Sequence, residues 1–197
     1  MKIIDITRTV QDAPRYPGTP ETEIVKLREV AEGDEYNSCL ITAESHAGTH
    51  ADAFNHFPAG NSLSIDEMPL ENYCGPCRVI SVPEDGLITL DDIRGRIDGV
   101  ERLVLHGGGQ AFLCEEAAEY IASCRIKLLV TDALSVGPHD NEFNIHTTLF
   151  SAGVAVVENA VLDGVQDGDY LIFAFPIKYA GCDGAPVRAV LIGAGKE

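Results

Sequence analysis

Imidazole and carboxylate side chains are concentrated in one short segment, residues 45–56, with the sequence SHAGTHADAFNH. Three of the chain's six histidines lie here, at positions 46, 50 and 56. Imidazole nitrogen and carboxylate oxygen are ligands of catalytic divalent metals, so His46, His50 and Asp52 are predicted to bind a metal ion. An ion with a free coordination position lowers the pKa of water from 15.7 toward about 7, which makes hydroxide available at neutral pH. His56, beyond these ligands, could carry protons.

Two residues far along the chain are candidates for a second metal ion. Asn144 can cap a helix that holds His146 in its first turn and ends at Gly153. The strand at residues 154–157 then presents Glu158 at its C-terminal edge. Consecutive elements usually pack as neighbours, so the imidazole and the carboxylate can converge. On the residues alone, His146 could instead be a cap-region histidine bonded to backbone, and Glu158 a solvated strand end.

The pattern His-x-Gly-Thr-His-x-Asp, followed four residues later by His, resembles the motif of the cyclase-type metal-dependent hydrolases. This family includes bacterial kynurenine formamidase and isatin hydrolase. Residues 16–18, His146, Glu158 and the segments 175–178 and 181–188 are similar to the family as well, so the resemblance covers nearly the whole chain. Two positions differ: Phe54 stands where the family usually has proline, and Tyr16 where the formamidases favour tryptophan.

The resemblance implies two ligand sets that share one carboxylate: His46, His50 and Asp52 for one ion, and Asp52, His146 and Glu158 for a second. Asp52 and Glu158 would bridge the ions, and His56 would be the general acid and base. The expected cofactor is zinc, as one or two ions, with manganese as the alternative, because imidazole tolerates both.

The resemblance also implies an arylformamidase-like hydrolase of non-peptide amide bonds that converts N-formylkynurenine to kynurenine and formate. An isatin- or lactone-type hydrolase of the same family is the alternative, so the expected partner is a small amide or lactam. Tyr16 is the candidate substrate-binding residue. Held between Pro14 and Pro17, its ring is stiff enough to form a wall against a flat substrate, although an ordinary packed turn is equally compatible with the sequence. A homodimer or homotetramer is implied too.

Parts of the sequence are also compatible with two other functions. Residues 106–109 (HGGG) and 133–137 (ALSVG) approximate the oxyanion loop and nucleophile elbow of a serine esterase. Ala133 replaces the first elbow glycine, Pro138 breaks the helix that should follow Ser135, and no histidine lies beyond His146 to complete a triad in that order. A non-catalytic metal-binding protein is the third hypothesis, but structural zinc commonly uses cysteine, and none of the six cysteines lies in the 45–56 segment.

Composition bounds the class of protein. With 197 residues and 45% apolar content, the chain can bury a core, and a single domain over residues 1–197 is predicted. The formal net charge of -17 argues against nucleic acid or an anionic membrane as partner. No apolar run approaches the ~20 residues that span a bilayer. The first residues resemble a strand rather than a signal peptide, so a cytoplasmic location is expected.

The element pattern predicts an α/β fold, a single domain with a mixed, partly parallel sheet and flanking helices. Strands at 102–105 and 127–131 enclose an Ala-rich helix at 115–123, which is a β-α-β order. A strand at 38–44 should deliver His46 at its end, and Thr89 should cap a short helix. The resemblance implies the swivelling β/β/α, cyclase-like form of this class. The CGPC sequence at 74–77 is interpreted as turn residues before a strand at 78–82, rather than as a redox site.

Overall fold

The computed structural model describes residues 2–60 and 62–193. Met1, Asn61 and residues 194–197 of the predicted 1–197 domain lie outside these ranges. The strands are β1 (Lys2–Asp5), β2 (Glu23–Arg28), β3 (Ser38–Thr42), β4 (His50–Asp52), β5 (Cys74–Ser81), β6 (Asp85–Ile88), β7 (Arg102–His106), β8 (Gln110–Leu113), β9 (Leu128–Thr131), β10 (Ala155–Glu158), β11 (Gly168–Phe173), β12 (Gly184–Pro186) and β13 (Val190–Gly193). The α-helices are α1 (Leu90–Ile93), α2 (Glu115–Ser123) and α3 (Glu142–Ser151).

One mixed sheet organises the fold, with the strand order β1-β13-β11-β5-β7-β9-β10-β4-β12. The four central strands β5, β7, β9 and β10 are parallel, and the flanking pairs are antiparallel. Helix α2 lies between β7 and β9 in the chain, and α3 lies between β9 and β10. Neighbouring parallel strands need such a crossover connection, which is usually helical. The predicted single-domain α/β fold with a partly parallel sheet is confirmed.

Burial explains why the central strands are rich in aliphatic residues. All residues of β9 and β10 are buried, as expected of parallel strands covered on both faces. Helices α2 and α3 contact each other and bury one side each, through residues such as Ala117, Ile121, Ile145 and Leu149. Glu158, a candidate ligand, is the last residue of β10.

Helix α3 begins earlier than the sequence predicted. Asn141, not Asn144, is the N-cap, so His146 lies in the second turn rather than the first. Asn144 is used differently: its amide bonds to Asn141 and to Glu115 on α2, at 2.7 and 3.2 Å. The predicted end is confirmed, because Gly153 has φ of 78° and forms a Schellman-type cap with Phe150.

Strand β4 is short but central to the site. It pairs antiparallel with β10 on one side and with β12 on the other. The predicted strand at 38–44 ends at Thr42, so His46 lies in the turn between β3 and β4 and not at a strand end. Gly48 supplies the positive φ, 72°, that this turn requires.

The CGPC segment is part of a strand and not of a turn, which corrects the sequence interpretation. Residues 74–77 form the first half of β5 and pair with β11. Cys77 is buried, and burial raises the pKa of its thiol to about 12, so it is not a reactive thiolate. Gly75 is needed because a Cβ there would lie 2.8 Å from the guanidinium of Arg102.

The hairpin of β2 and β3 stands apart from the main sheet. Its large apolar side chains are exposed on both faces, including Val25 (48%), Leu27 (56%), Leu40 (53%) and Ile41 (64%).

Among the described residues, no helix is both long enough and apolar enough to cross a membrane.

Candidate active site

The pairing of β4 with β10 brings the early and late candidate ligands together. His50 lies opposite Glu158 in this register, and Asp52 is two residues further along β4 on the same face. All three side chains are buried, with exposures of 2%, 5% and 0%. Helix α3 adds His146, which is 1% exposed. Four polar side chains from three elements therefore form one buried cluster.

Backbone carbonyls fix the orientation of two of these imidazoles. His50 donates from Nδ1 to the carbonyl of Gly48 at 3.0 Å, and His146 donates from Nδ1 to the carbonyl of Glu142 at 2.9 Å. A carbonyl can only accept, so Nδ1 carries the hydrogen in both rings. Each Nε2 is thereby left to face the carboxylates.

The distances between these atoms suit a bound cation. His50 Nε2 lies 3.4 Å from an oxygen of Asp52 and 3.4 Å from one of Glu158. His146 Nε2 lies 3.2 Å from Glu158 Oε1 and 3.5 Å from Asp52 Oδ2. Ligand atoms of a tetrahedral zinc ion, with bonds of 2.0–2.2 Å, are separated by about 3.3–3.6 Å. Three groups of ligand atoms among the described residues could each hold an ion, and two of them match the predicted ligand sets: Asp52, His146 and Glu158, and His46, His50 and Asp52. The third group consists of His46, His56 and Asp183.

An unpaired oxygen supports the same interpretation. Asp52 Oδ2 is fully buried and has no hydrogen-bond partner within the described part of the chain. A buried carboxylate oxygen without a partner is costly unless a cation compensates it. The residues present therefore fit a divalent metal.

The titration behaviour of the cluster points in the same direction. Burial lowers the pKa of His50 and His146, but the neighbouring carboxylates of Asp52 and Glu158 outweigh it and raise the pKa to about 9 and about 10. Burial likewise raises the pKa of the two carboxyls, yet the imidazoles hold the pKa of both below the ordinary range. The carboxylates thus favour positive charge in the cluster. When no metal is bound, protons on the imidazoles supply this charge.

His46 and His56 lie at the more open side of the cluster. His46 Nδ1 is 2.9 Å from Asp52 Oδ1, and its ring packs on that of His56 with centroids 4.1 Å apart. Burial lowers the pKa of His56, so its imidazole is neutral at pH 7 and able to accept a proton. All six residues proposed as ligands or acid-base catalyst are therefore neighbours in the structure.

Sequence reasoning missed Asp183 as part of this site. Its carboxylate Oδ2 lies 3.2 Å from His46 Nε2 and 3.4 Å from His56 Nδ1. In the sequence, residues 181–188 resemble the family's C-terminal segment, but the resemblance assigns no chemistry to Asp183. The pairing of β12 with β4, which no local pattern reveals, brings Asp183 to the histidines.

Gly184, at the start of β12, allows the backbone of this strand to lie close to the ring of His46. A Cβ there would lie 2.8 Å from Cε1 of His46 and 3.0 Å from the carbonyl of Ala51. We expect Gly184→Ala to displace the His46 ring and lower metal affinity about 10-fold or more, with a loss of about 1–3 kcal/mol in stability. Titration with metal and thermal unfolding measure the two effects. In a His46→Ala background the same change should affect metal affinity much less, and equal effects in both backgrounds would contradict this account.

A cavity of about 240 Å³ opens above the cluster. Its lining includes the site histidines and Glu158 together with Tyr16, Thr19, Glu44, Phe57, Leu134 and Glu142. Phe57 stacks on His146 with ring centroids 4.5 Å apart, a contact that the sequence did not predict. The Tyr16 hydroxyl donates to Glu142 at 2.7 Å, while burial and this carboxylate raise its pKa to about 12. The cavity thus combines an aromatic wall with a polar floor.

The features of the serine esterase hypothesis do not meet in space. Ser135 is buried, and its hydroxyl accepts a bond from the Gly137 amide. Within residues 2–60 and 62–193, no histidine is hydrogen-bonded to it. Residues 107–109 form the turn between β7 and β8, and His106 does not line the cavity above the cluster. The glycines therefore serve the turn.

Fold and site together define an α/β protein with a buried His/Asp/Glu metal centre beneath a small cavity. The profile of the Cyclase family, described as "Putative cyclase", matches residues 4–138. A kynurenine formamidase of Bacillus cytotoxicus is 36% identical over 95% of this chain and 96% of its own length. The chain belongs to the cyclase family.

Other comparisons agree with this assignment. A kynurenine formamidase of Bacillus anthracis is 34% identical over 96% of this chain and 97% of its own length. The structure of a potential metal-dependent hydrolase with cyclase activity superposes with a TM-score of 0.81 at 30% identity, covering 96% of each chain. Isatin hydrolase A of Labrenzia aggregata gives a TM-score of 0.83 at 20% identity, covering 97% of this chain and 93% of its own, which supports the shared fold.

Proposed function

We propose that the protein is a metal-dependent hydrolase of non-peptide amide bonds, with an arylformamidase-like conversion of N-formylkynurenine to kynurenine and formate as the leading reaction. The observation that carries this proposal is the buried cluster, in which two imidazole Nε2 atoms and two carboxylates converge beneath a cavity. The kynurenine formamidases that are 34–36% identical over nearly the whole chain support the choice of amide substrate.

In this proposal five side chains hold the metal: His46, His50, Asp52, His146 and Glu158. The expected ion is zinc, as one or two ions, with manganese as the alternative. When bound, a divalent metal lowers the pKa of water and polarises a carbonyl. Asp52 belongs to both ligand groups, and Glu158 lies 3.4 Å from His50 as well as 3.2 Å from His146, so both carboxylates would be available to two ions.

His56 is proposed as the acid-base group. Its Nδ1 faces Asp183, which leaves Nε2 for proton transfer at the cavity. The neutral ring would take a proton from the attacking water and return it to the departing amine, acting first as a general base and then as a general acid. Phe57, which contacts both His56 and His146, limits access of bulk water on that side.

Tyr16 is proposed to bind the substrate through its ring, because its hydroxyl is already engaged by Glu142. We expect Tyr16→Ala to raise KM about tenfold, the equivalent of about 1.4 kcal/mol for a lost aromatic contact. Tyr16→Phe keeps the ring and should change KM by no more than about threefold. Steady-state kinetics on N-formylkynurenine compare the variants, and a larger defect in the phenylalanine variant would assign substrate binding to the hydroxyl instead.

One assay tests the proposed function. Turnover of N-formylkynurenine is measured beside isatin and simple lactones, on protein with known metal content, before and after chelation. Loss of turnover on chelation, restored by zinc or manganese, is expected. Preference for isatin or a lactone would establish the cyclic amide or ester alternative. Metal without turnover on any amide or ester would establish a binding protein, and inactivation only by a serine-directed reagent would favour an esterase.

Homo-oligomerisation, as a dimer or a tetramer, and a cytoplasmic location remain predictions. The exposed apolar hairpin of β2 and β3 supports the first, because contiguous apolar surface of this kind is usually covered by a partner. The six cysteines are all free, which is typical of a reducing compartment. Sedimentation analysis and cell fractionation test the two predictions.

A further inference from the structure

The carboxylate of Asp183 contacts three neighbours at the open side of the metal cluster. Oδ1 accepts a bond of 2.9 Å from the Ser45 hydroxyl. Oδ2 lies 3.2 Å from Nε2 of His46 and 3.4 Å from Nδ1 of His56. One carboxylate oxygen therefore lies within reach of a proposed metal ligand and of the proposed acid-base group at the same time.

The backbone around Asp183 is held firmly enough to aim this side chain. Its carbonyl accepts a bond of 2.9 Å from the amide of Ala53, directly after β4. The next residue, Gly184, is paired with Asp52 in the sheet. The same strand that carries His50 and Asp52 thus fixes the position of Asp183.

The two imidazoles face Asp183 through different nitrogens, Nε2 of His46 and Nδ1 of His56. In His46, Nδ1 faces Asp52 within the ligand group, and Nε2 faces Asp183 outside it. A metal-binding histidine usually donates its second N–H to a carboxylate, which fixes the ring and its tautomer. In His56, Nδ1 lies 3.4 Å from Oδ2 of Asp183, so the carboxylate favours the hydrogen on Nδ1 and a lone pair on Nε2, which is the form that a general base requires.

We infer that Asp183 is a positioning residue that orients His46 and His56 together through a single carboxylate oxygen. The inference rests on the proposed function, because it assigns no role to Asp183 apart from those two histidines. It couples the geometry of the metal centre to the tautomer of the acid-base group. A movement of the His46 ring would thereby alter the tautomer of His56, without any contact between Asp183 and the substrate.

The alternative is that Asp183 merely orders the loop that leads into β12. Asp66 provides a matched control, since its carboxylate accepts bonds from the Gly181 amide at 2.9 Å and from Ser64 at 2.8 Å. It holds the same loop but contacts neither site histidine. Asp183→Asn and Asp66→Asn are both close to isosteric, and circular dichroism checks that each variant is folded.

Three readouts are compared in the wild type and both variants. In Asp183→Asn, kcat should fall about 10- to 100-fold with KM within about twofold, and the visible absorption band of the cobalt(II)-substituted protein should shift. The ¹⁵N NMR resonances of His56 should show the Nδ1–H tautomer in the wild type and lose it in this variant. Asp66→Asn should match the wild type in all three.

Several results overturn the inference. Equal changes in both variants would reduce Asp183 to a loop residue. If only the cobalt band shifts, or only the His56 tautomer changes, Asp183 orients one of the two histidines and not both. If the wild type hydrolyses no amide, the proposed function fails, but the cobalt band and the NMR tautomer still decide whether Asp183 orients the two rings.

Discussion

Replacement of Asp52 by asparagine is expected to abolish metal binding and to lower kcat/KM about 10³-fold or more. Asp52 is the carboxylate common to both ligand groups, and it is completely buried among three imidazoles. Asparagine has nearly the same volume but no charge, so the effect cannot arise from a cavity in the core. Metal content by mass spectrometry and turnover on the same sample measure the outcome.

Stability gives an independent check of this prediction. A ligand that binds only the folded state stabilises it by about 2.7 kcal/mol at a concentration 100 times its Kd. Added zinc should therefore raise the thermal midpoint of the wild type, and chelation should lower it. Asp52→Asn should unfold at the same temperature with and without zinc. A variant that still responds to zinc would show that Asp52 is not required for the ion.

Replacement of His56 by alanine should leave the metal content unchanged but lower kcat by about 10²- to 10⁴-fold, the usual contribution of a general acid or base. The ring lies beside the cluster, and its Nδ1 faces Asp183 rather than Asp52 or Glu158. The rate of the chemical step should therefore fall, while both ligand groups keep all their side chains. Metal content and kcat on N-formylkynurenine are measured together.

A matched histidine separates this effect from general perturbation. His106, at the end of β7, does not line the cavity above the cluster. His106→Ala should keep the kcat and metal content of the wild type. Its ring is partly buried, so the variant should lose some stability without any change in these two quantities. Equal loss of metal in His56→Ala and Asp52→Asn would contradict the division between ligand and acid-base group.

The sequence predicted the parts of the site that are encoded locally. His46, His50, Asp52 and His56 follow one another within a single motif, and the chemistry of imidazole and carboxylate was sufficient to propose a metal there. The β-α-β order also predicted the parallel centre of the sheet. His146 and Glu158 became strong candidates through the family resemblance, and the β4–β10 register supplies the physical reason for their proximity to the motif.

The errors and omissions share a different origin, which is long-range packing. Local propensity predicts Asn144 as a helix cap, but a contact with α2 engages its side chain and the helix starts at Glu142. The glycine and proline of residues 74–77 suggested a turn, yet Gly75 makes room for Arg102 within a strand. Asp183 reaches the site through pairing of strands more than a hundred residues apart, for which a single sequence has no local signal.

The position of β4 in the sheet has a consequence for synthesis on the ribosome. Its two hydrogen-bonding neighbours, β10 and β12, are translated roughly a hundred residues or more after it, and β1 pairs with β13, near the end of the described chain. Pairings of such large sequence separation form slowly. Residues 45–56 therefore remain unpaired in the nascent chain until the later strands are synthesised. During this time they are accessible to chaperones and to free cellular metal ions.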